Sequence, residues 1–167
     1  LIREIADALA RAHKAGVIHR DIKPENVLIE ERHALVSDFG VAKALSAAND
    51  AAAANRSTAG LSIGTPAYMA PEQAAGDPNI DHRADIYALG IVAYEMLIGR
   101  PPFSTQNPME DLAMHVRTPV PPMQGVPDRI AQVVMRSLAK DPAHRQQNVE
   151  QLNNECQAVL AEMGVPM

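Results

Sequence analysis

Oxygen-bearing side chains flank a short predicted β-hairpin in the first quarter of the chain. Asp21 and Asn26 precede it, in the run His19-Arg20-Asp21-Ile22-Lys23-Pro24-Glu25-Asn26, and Asp38 follows its second strand. Because a hairpin brings its two ends together, we expect Asn26 and Asp38 to lie side by side, with Asp21 nearby. Two such oxygens are typical ligands of Mg²⁺, which completes its shell with phosphates and water. The third carboxylate is suited to accept a proton from an attacking hydroxyl.

The elements that must position these side chains have clear local signals. Val27-Leu28-Ile29 and Ala34-Leu35-Val36 are short apolar runs separated by polar residues, which predicts a small β-hairpin. Apolar residues at every fourth position from Leu1 to Leu9 predict a helix before the polar loop. Gly16 is suited to end that helix in a left-handed conformation.

The second half of the sequence is predicted to be helical. Residues 86–98 are apolar nearly all round, so we expect a central buried helix, with Asp81 as its N-cap and Gly99 as its stop. Other apolar patterns predict three more helices, over 109–116, over 130–138 and from the N-cap Asn148 onward. The inner face of the last helix is predicted to consist of Val149, Leu152, Cys156 and Val159.

Composition excludes several classes of protein. The 167 residues carry 15 basic and 20 acidic side chains, and a formal charge of −5 argues against nucleic-acid binding. Cys156 is the single cysteine, so no internal disulfide can form, and we expect it to be a small core residue rather than a reactive thiol. The apolar stretch 86–98 is too short to span a bilayer. We expect a cytoplasmic protein, with any membrane anchor of a longer parent in a segment not present here.

Three motifs together resemble those of the eukaryotic-type protein kinases. His19 to Asn26 matches the catalytic loop, Asp38-Phe39-Gly40 the metal-binding motif, and Ala70-Pro71-Glu72 the end of the activation segment. The stretch from Gly64 to Gln73 is most similar to bacterial serine/threonine kinases. The resemblance covers the whole chain and implies a protein-kinase-like α+β fold with a small β-hairpin and a large, mainly α-helical C-lobe. Its implied parts are the catalytic loop 19–26, the metal motif 38–40, the activation segment 38–72 and a helical subdomain 81–163.

The resemblance implies roles for the polar residues around the hairpin. Asp21 would orient the substrate hydroxyl and accept its proton, and Lys23 would neutralise charge on the phosphoryl group, in the serine/threonine-specific form of the loop. Asn26 and Asp38 would hold Mg²⁺ against the phosphates of ATP. Leu28 has two interpretations, as the floor of an adenine pocket or as an ordinary strand core residue.

Further matches are implied to be structural. His19 and Phe39 are expected to pack together beneath the site, which makes His19 a core residue rather than a general base. Gly40 would allow backbone angles beside Asp38 that a side chain would forbid. Thr65 would contact the catalytic aspartate and lysine. It is therefore interpreted as architectural rather than as a switch.

Two buried polar contacts are also implied by the resemblance. Asp85 would tie the catalytic loop to the central helix by accepting backbone hydrogen bonds. Glu72 and Arg145 would form a buried ion pair.

Regulation by phosphorylation is implied by the arginine that precedes the catalytic aspartate. In the family, an arginine such as Arg20 binds phosphate on the activation loop and so orders that loop. Ser57 and Thr58 are candidate acceptors, with Ser62 behind them. The alternative, equally weighted, is that these are solvated hydroxyls on a surface loop that we expect over residues 44–62. Such kinases would dimerise for trans-autophosphorylation.

The small N-terminal lobe of a kinase has no counterpart in this sequence. Its nine glycines never form Gly-x-Gly-x-x-Gly, and Val41-Ala42-Lys43 follows the metal motif instead of preceding the catalytic loop. We therefore expect the missing N-lobe to be a partner, beside protein substrates with serine or threonine acceptors, and little activity from the chain alone. Three interpretations stay open: part of an active kinase, a truncated lobe that acts as a binding or scaffold module, and a pseudokinase. The last is the weakest, because Asp21, Lys23, Asn26 and Asp38 are all retained.

Overall fold

The computed structural model describes residues 1–31, 33–39 and 66–164. Over these residues the chain forms six α-helices, one β-hairpin and three short 3₁₀ helices. The α-helices are α1 (Ile2–Lys14), α2 (Pro71–Ala74), α3 (Arg83–Ile98), α4 (Pro108–Arg117), α5 (Asp128–Ser137) and α6 (Val149–Glu162). The strands are β1 (Val27–Glu30) and β2 (His33–Val36), and the 3₁₀ helices are Pro24–Asn26, Pro66–Tyr68 and Pro142–His144. This mainly helical architecture with a small hairpin confirms the predicted fold class.

The hairpin pairs antiparallel, with Val27 opposite Val36 and Glu30 opposite His33. Helix α1 covers one of its faces, where Ala34 is buried in the core. Leu28 on the opposite face is 54% exposed, so it is not part of the core formed by the described residues. A two-stranded sheet depends on neighbouring elements for stability, and the described residues pack against one of its two faces.

Helix α3 is the centre of the structure, as its all-round apolar pattern predicts. Every residue from Ala84 to Tyr94 is buried. One side of α3 packs against α1 and α6, and the other packs against α5 and the segment that contains Met123. Gly90 allows α5 to approach closely, because a Cβ atom there would overlap the hydroxyl of Ser137.

The start of α3 differs from its prediction. The helix begins at Arg83 with His82 as the N-cap residue, so the prediction of Asp81 as N-cap is wrong by one position. The Asp81 carboxylate still accepts the N–H of Arg83, at 2.9 Å, and also binds the guanidinium of that residue. A carboxylate can therefore stabilise the first turn from one residue outside the helix.

Two other helix ends agree with their predicted signals. Gly99 ends α3 with a φ of 88°, in the left-handed region that glycine tolerates best. Asn148 begins α6, and its side chain accepts the N–H of Gln151 at 2.8 Å. Along α6, Val149, Leu152 and Val159 are buried. Cys156 packs against the core, and burial raises the pKa of its thiol, which fits a core residue.

The predicted surface loop over 44–62 lies outside the described residues. Within the part of the chain that the structure describes, no helix combines the length and the apolar character needed to cross a membrane.

A buried histidine links α4 to the core. His115 has no exposed surface, and its Nδ1 accepts the hydroxyl of Tyr87 at 2.9 Å. Its ring meets the edge of Phe103, and Lys140 caps the end of α4 by donating to the carbonyl of His115 at 2.7 Å. Burial, and to a smaller extent the charge of Lys140, lower the pKa of His115 from 6.5 to about 4.

This buried histidine predicts a loss of stability in acid. Between pH 6.5 and 4 the unfolded chain binds a proton at His115 that the folded chain excludes, so stability falls as the pH is lowered. One such proton lowers the free energy of unfolding by up to about 1.4 kcal/mol per pH unit. Urea unfolding between pH 6.5 and 4.5 should show a shallower loss for His115→Gln than for the wild type. The exposed His144→Gln variant should keep the wild-type slope; equal slopes in all three proteins would contradict this role of His115.

Candidate active site

The loop that carries Asp21 is held from below by α3. The buried carboxylate of Asp85 accepts the N–H of His19 at 2.9 Å and the N–H of Arg20 at 2.8 Å. Arg20 has a φ of 68°, a left-handed conformation that is uncommon for a residue with a side chain. The two hydrogen bonds stabilise this conformation, and they are the contacts that the sequence resemblance implies for Asp85.

A third hydrogen-bond partner of the Asp85 carboxylate was not predicted. His13, in the last turn of α1, places its Nε2 2.8 Å from the same carboxylate. At this end of a helix, a basic side chain also interacts favourably with the helix dipole. Since the two residues are 72 positions apart, no local pattern could have indicated the contact.

The side chain of Asp21 is held by two residues of its own loop. Asn26 donates from Nδ2 to the backbone oxygen of Asp21 at 2.7 Å and to its carboxylate Oδ2 at 3.1 Å. Lys23 places its ammonium 3.0 Å from the same carboxylate oxygen. The 3₁₀ helix Pro24–Asn26 makes this possible, because it turns Asn26 back toward the start of the loop. Asp21, Lys23 and Asn26 therefore form one cluster.

Asp38 is brought to this cluster by the hairpin register. Beyond the last strand pair, Ser37 donates its N–H to the backbone oxygen of Asn26 at 2.9 Å. Asn26 is therefore opposite Ser37, and Asp38 is the next residue, exposed and with a φ of 62°. The Ser37 hydroxyl also lies within hydrogen-bond distance of the Asp38 carboxylate, at 3.2 Å.

The oxygen atoms of this cluster fit a hard cation. Asn26 uses its amide nitrogen on Asp21, which leaves its amide oxygen as the atom to offer a metal, and Asp38 offers a carboxylate. Among the described residues, no three His, Cys, Asp or Glu side chains converge into a self-sufficient metal site. An Asn–Asp pair of this kind suits Mg²⁺ that shares its shell with phosphate oxygens.

His19 joins the predicted catalytic loop, residues 19–26, to the segment that carries Asp38. Its ring is fully buried, its Nδ1 accepts the N–H of Asp21 at 3.2 Å, and its Nε2 donates to the backbone oxygen of Ser37 at 2.7 Å. The ring also packs edge to face on Phe39, with centroids 4.7 Å apart. Both ring nitrogens are engaged by backbone groups, so His19 has a structural role here. Gly40, the third residue of the metal motif, lies outside the described residues.

The end of the predicted activation segment is fixed by an ion pair at Glu72. Arg145 is fully buried and donates two parallel hydrogen bonds to Glu72, at 2.7 and 2.8 Å. Its remaining N–H groups donate to the backbone oxygens of Arg83, Ala139 and Lys140. All five donors of the guanidinium are thus satisfied, and the group lies over the ring of Tyr87.

Two further contacts of this segment, one to the loop that carries Asp21 and one to α3, were not predicted. Gln73 accepts the N–H of Ala70 at 3.1 Å and donates to the backbone oxygen of Arg20 at 2.9 Å. Tyr68 donates to Glu95 at 2.6 Å, and burial raises the pKa of this tyrosine above its usual range. Neither contact has a sequence signal, because glutamine and tyrosine fit many environments.

The regulatory candidates are only in part within the described residues. The Arg20 side chain is partly exposed, and no described group lies within hydrogen-bond distance of its buried Nε. Ser57, Thr58, Ser62 and Thr65 lie outside the described residues.

Comparison with known proteins agrees with these motifs. Residues 1–157 match the protein kinase domain, and the chain therefore belongs to the protein kinase family. It is 40% identical to serine/threonine-protein kinase pkn3 of Myxococcus xanthus, over 97% of this chain and 31% of that protein. It is also 40% identical to PknB of Mycobacterium tuberculosis, over 91% of this chain and 24% of the relative. With PkaB of Streptomyces coelicolor it shares 43% identity, over 87% of this chain and 35% of the relative. The chain thus spans roughly a quarter to a third of the length of these serine/threonine-protein kinases.

The Glu72–Arg145 pair predicts a large stability effect. Glu72→Ala leaves a fully buried guanidinium without its carboxylate, which should lower the free energy of unfolding by about 3–5 kcal/mol. We expect the melting temperature to fall by several degrees in a thermal unfolding experiment. The matched control is Glu162→Ala, which breaks an equally short but exposed pair with Arg129 and should leave the melting temperature unchanged. Equal effects of the two substitutions would contradict the importance of burial.

Proposed function

We propose that this chain contains the phosphotransfer residues of a bacterial-type signalling kinase that transfers the γ-phosphate of ATP to serine or threonine hydroxyls of proteins. The observation that carries the proposal is the cluster in which Asn26 and Lys23 both bind the carboxylate of Asp21. Catalysis of phosphoryl transfer depends mainly on positioning and charge, and this cluster provides both.

Asp21 is the proposed catalytic base. As the substrate oxygen forms its bond to the γ-phosphorus and the bond to the leaving oxygen of ADP breaks, the hydroxyl proton passes to the Asp21 carboxylate. Asn26 orients that carboxylate by donating to both its side chain and its backbone oxygen. Lys23, 3.0 Å from Asp21, is close enough to stabilise negative charge on the transferred group as well.

Asn26 and Asp38 are the proposed Mg²⁺ ligands. Bound Mg²⁺ would supply charge neutralisation on the phosphates of ATP. Ser37 contacts both residues, through its N–H to the backbone oxygen of Asn26 and its hydroxyl to the Asp38 carboxylate, which supports their placement side by side. The exposure of Leu28 on the free face of the hairpin favours the interpretation in which it contacts the adenine ring.

Arg20 is the proposed receptor for a phosphate on the activation segment. Its buried Nε without a described partner supports this role, because a guanidinium in such a setting favours an anionic ligand. Ser57, Thr58 and Ser62 remain the candidate acceptors, with phosphorylation in trans between two copies.

A partner lobe is proposed on the free face of the hairpin. Two exposed apolar side chains that pair across the strands lie on that face, a pattern that marks an interaction surface. They are Leu28 and Leu35. This surface supports a kinase N-lobe as the partner. It equally supports the alternative function, a kinase lobe that acts as a non-catalytic binding or scaffold module.

Phosphorylation assays distinguish these functions. The 167-residue chain should transfer little or no phosphate from γ-labelled ATP to a generic protein substrate. The same chain extended upstream to include a Gly-rich loop should be active. In that extended protein, Asp21→Asn should lower kcat by about 10²–10⁴-fold, the usual contribution of a positioned base. The exposed Asp128→Asn serves as the matched control and should keep full activity.

Each other outcome has a distinct meaning. Strong Asp21-dependent phosphorylation by the 167-residue chain alone would contradict the need for a partner lobe. Phosphorylation that survives Asp21→Asn would contradict the assignment of the base. An extended protein that folds but transfers no phosphate would favour the scaffold function.

A further inference from the structure

The peptide group between Arg20 and Asp21 is held by hydrogen bonds on both of its sides. Its oxygen, on Arg20, accepts from Gln73 Nε2 at 2.9 Å, and its N–H, on Asp21, donates to His19 Nδ1 at 3.2 Å. In a trans peptide these two atoms point in opposite directions. Rotation of the peptide plane would therefore break both hydrogen bonds and tilt the Cα–Cβ bond of Asp21.

These two hydrogen bonds maintain a strained backbone conformation at Arg20. Arg20 has a φ of 68°, a left-handed conformation that is unfavourable for a residue with a side chain. Asp85 accepts the N–H of Arg20, but that hydrogen bond restrains only the peptide group before Arg20. The carbonyl of Arg20 has Gln73 as its hydrogen-bond partner, and this bond fixes the end that leads into Asp21.

Gln73 is itself held firmly in place. Its Oε1 accepts the N–H of Ala70, which closes the first turn of α2. The residue before it, Glu72, is bound to the buried Arg145. The amide of Gln73 therefore links the anchored end of the activation segment to the strained peptide beside Asp21.

We propose that Gln73 is a positioning residue for Asp21, acting through the carbonyl of Arg20. The inference deepens the proposed function, since it assumes that Asp21 is the base of the phosphotransfer reaction. Gln73 does not contact the reacting atoms. It sets the plane of the peptide from which the Asp21 side chain projects, so its loss should lower the rate of the chemical step more than the affinity for ATP.

The two hydrogen bonds of Gln73 can be separated by one substitution. In Gln73→Glu the carboxylate keeps the acceptor for the N–H of Ala70, but it can no longer donate to the oxygen of Arg20. Glutamate is also favourable in the first turn of a helix, so the variant should fold and melt like the wild type. In the extended, active protein we expect kcat to fall roughly three- to tenfold, the range for loss of one neutral hydrogen bond, with the KM for ATP unchanged.

Gln151→Glu is the matched control. Gln151 occupies the same position in the first turn of α6, and its Oε1 likewise accepts a backbone N–H, that of Gln147, at 2.9 Å. It does not contact the catalytic loop, so this variant should keep the wild-type kcat. A Gln73→Glu protein with wild-type kcat would overturn the proposal. Equal losses of kcat in the two variants, or a loss that follows the melting temperature, would also overturn it.

A second measurement tests these hydrogen bonds without an activity assay. Hydrogen exchange of the Asp21 amide in the 167-residue chain should be at least threefold faster in Gln73→Glu than in wild type and Gln151→Glu. Unchanged exchange would contradict the link between Gln73 and Asp21. If the extended protein transfers no phosphate at all, the proposed function fails, while this exchange measurement still decides whether Gln73 holds the peptide.

Discussion

The buried carboxylate of Asp85 is the interaction on which the geometry of the site depends. A carboxylate without solvent exposure is costly by several kcal/mol unless hydrogen bonds replace the lost water. The N–H groups of His19 and Arg20 and the imidazole of His13 provide that replacement. Burial and loop shape therefore depend on each other, because the loop donors stabilise the charge and the charge stabilises the left-handed conformation of Arg20.

A second buried charge, that of Arg145, has the corresponding role for the activation segment. It binds Glu72 through two hydrogen bonds and satisfies its other donors on backbone oxygens of α3 and the α5–α6 connection. The same helix, α3, thus contacts both anchors: Asp85 in its first turn holds the catalytic loop, and the carbonyl of Arg83 receives Arg145. Gln73 then joins the two anchored segments at the backbone of Arg20. The close packing of α3 against its neighbours, at Gly90 for example, restricts the movement of these contacts relative to one another.

The parts of this arrangement that could be predicted from the sequence have local signals. Alternating runs and turn residues indicated the hairpin, and its register brought Asn26 and Asp38 to one end. The N-cap of α6 at Asn148 also had a local signal. The N-cap of α3 was predicted one residue too early, at Asp81, because a carboxylate can stabilise a helix start from either position. The contacts of His13 and Gln73 could not be predicted, since they join residues 72 and 53 positions apart. Such pairs depend on how helices pack, and no local pattern encodes that.

The hairpin presents a physical problem that bears on function. Among the described residues, α1 covers one of its faces, where the Glu4 carboxylate contacts His33 and the N–H of Ala34, at 3.1 and 3.3 Å. The opposite face exposes Leu28 at 54% and Leu35 at 48%, and a two-stranded sheet with one exposed apolar face is marginally stable. Yet this hairpin sets the spacing of the two proposed metal ligands. A partner that covers its free face would therefore do more than complete a binding site: by restricting the motion of the strands, it would stabilise the geometry of the site as well.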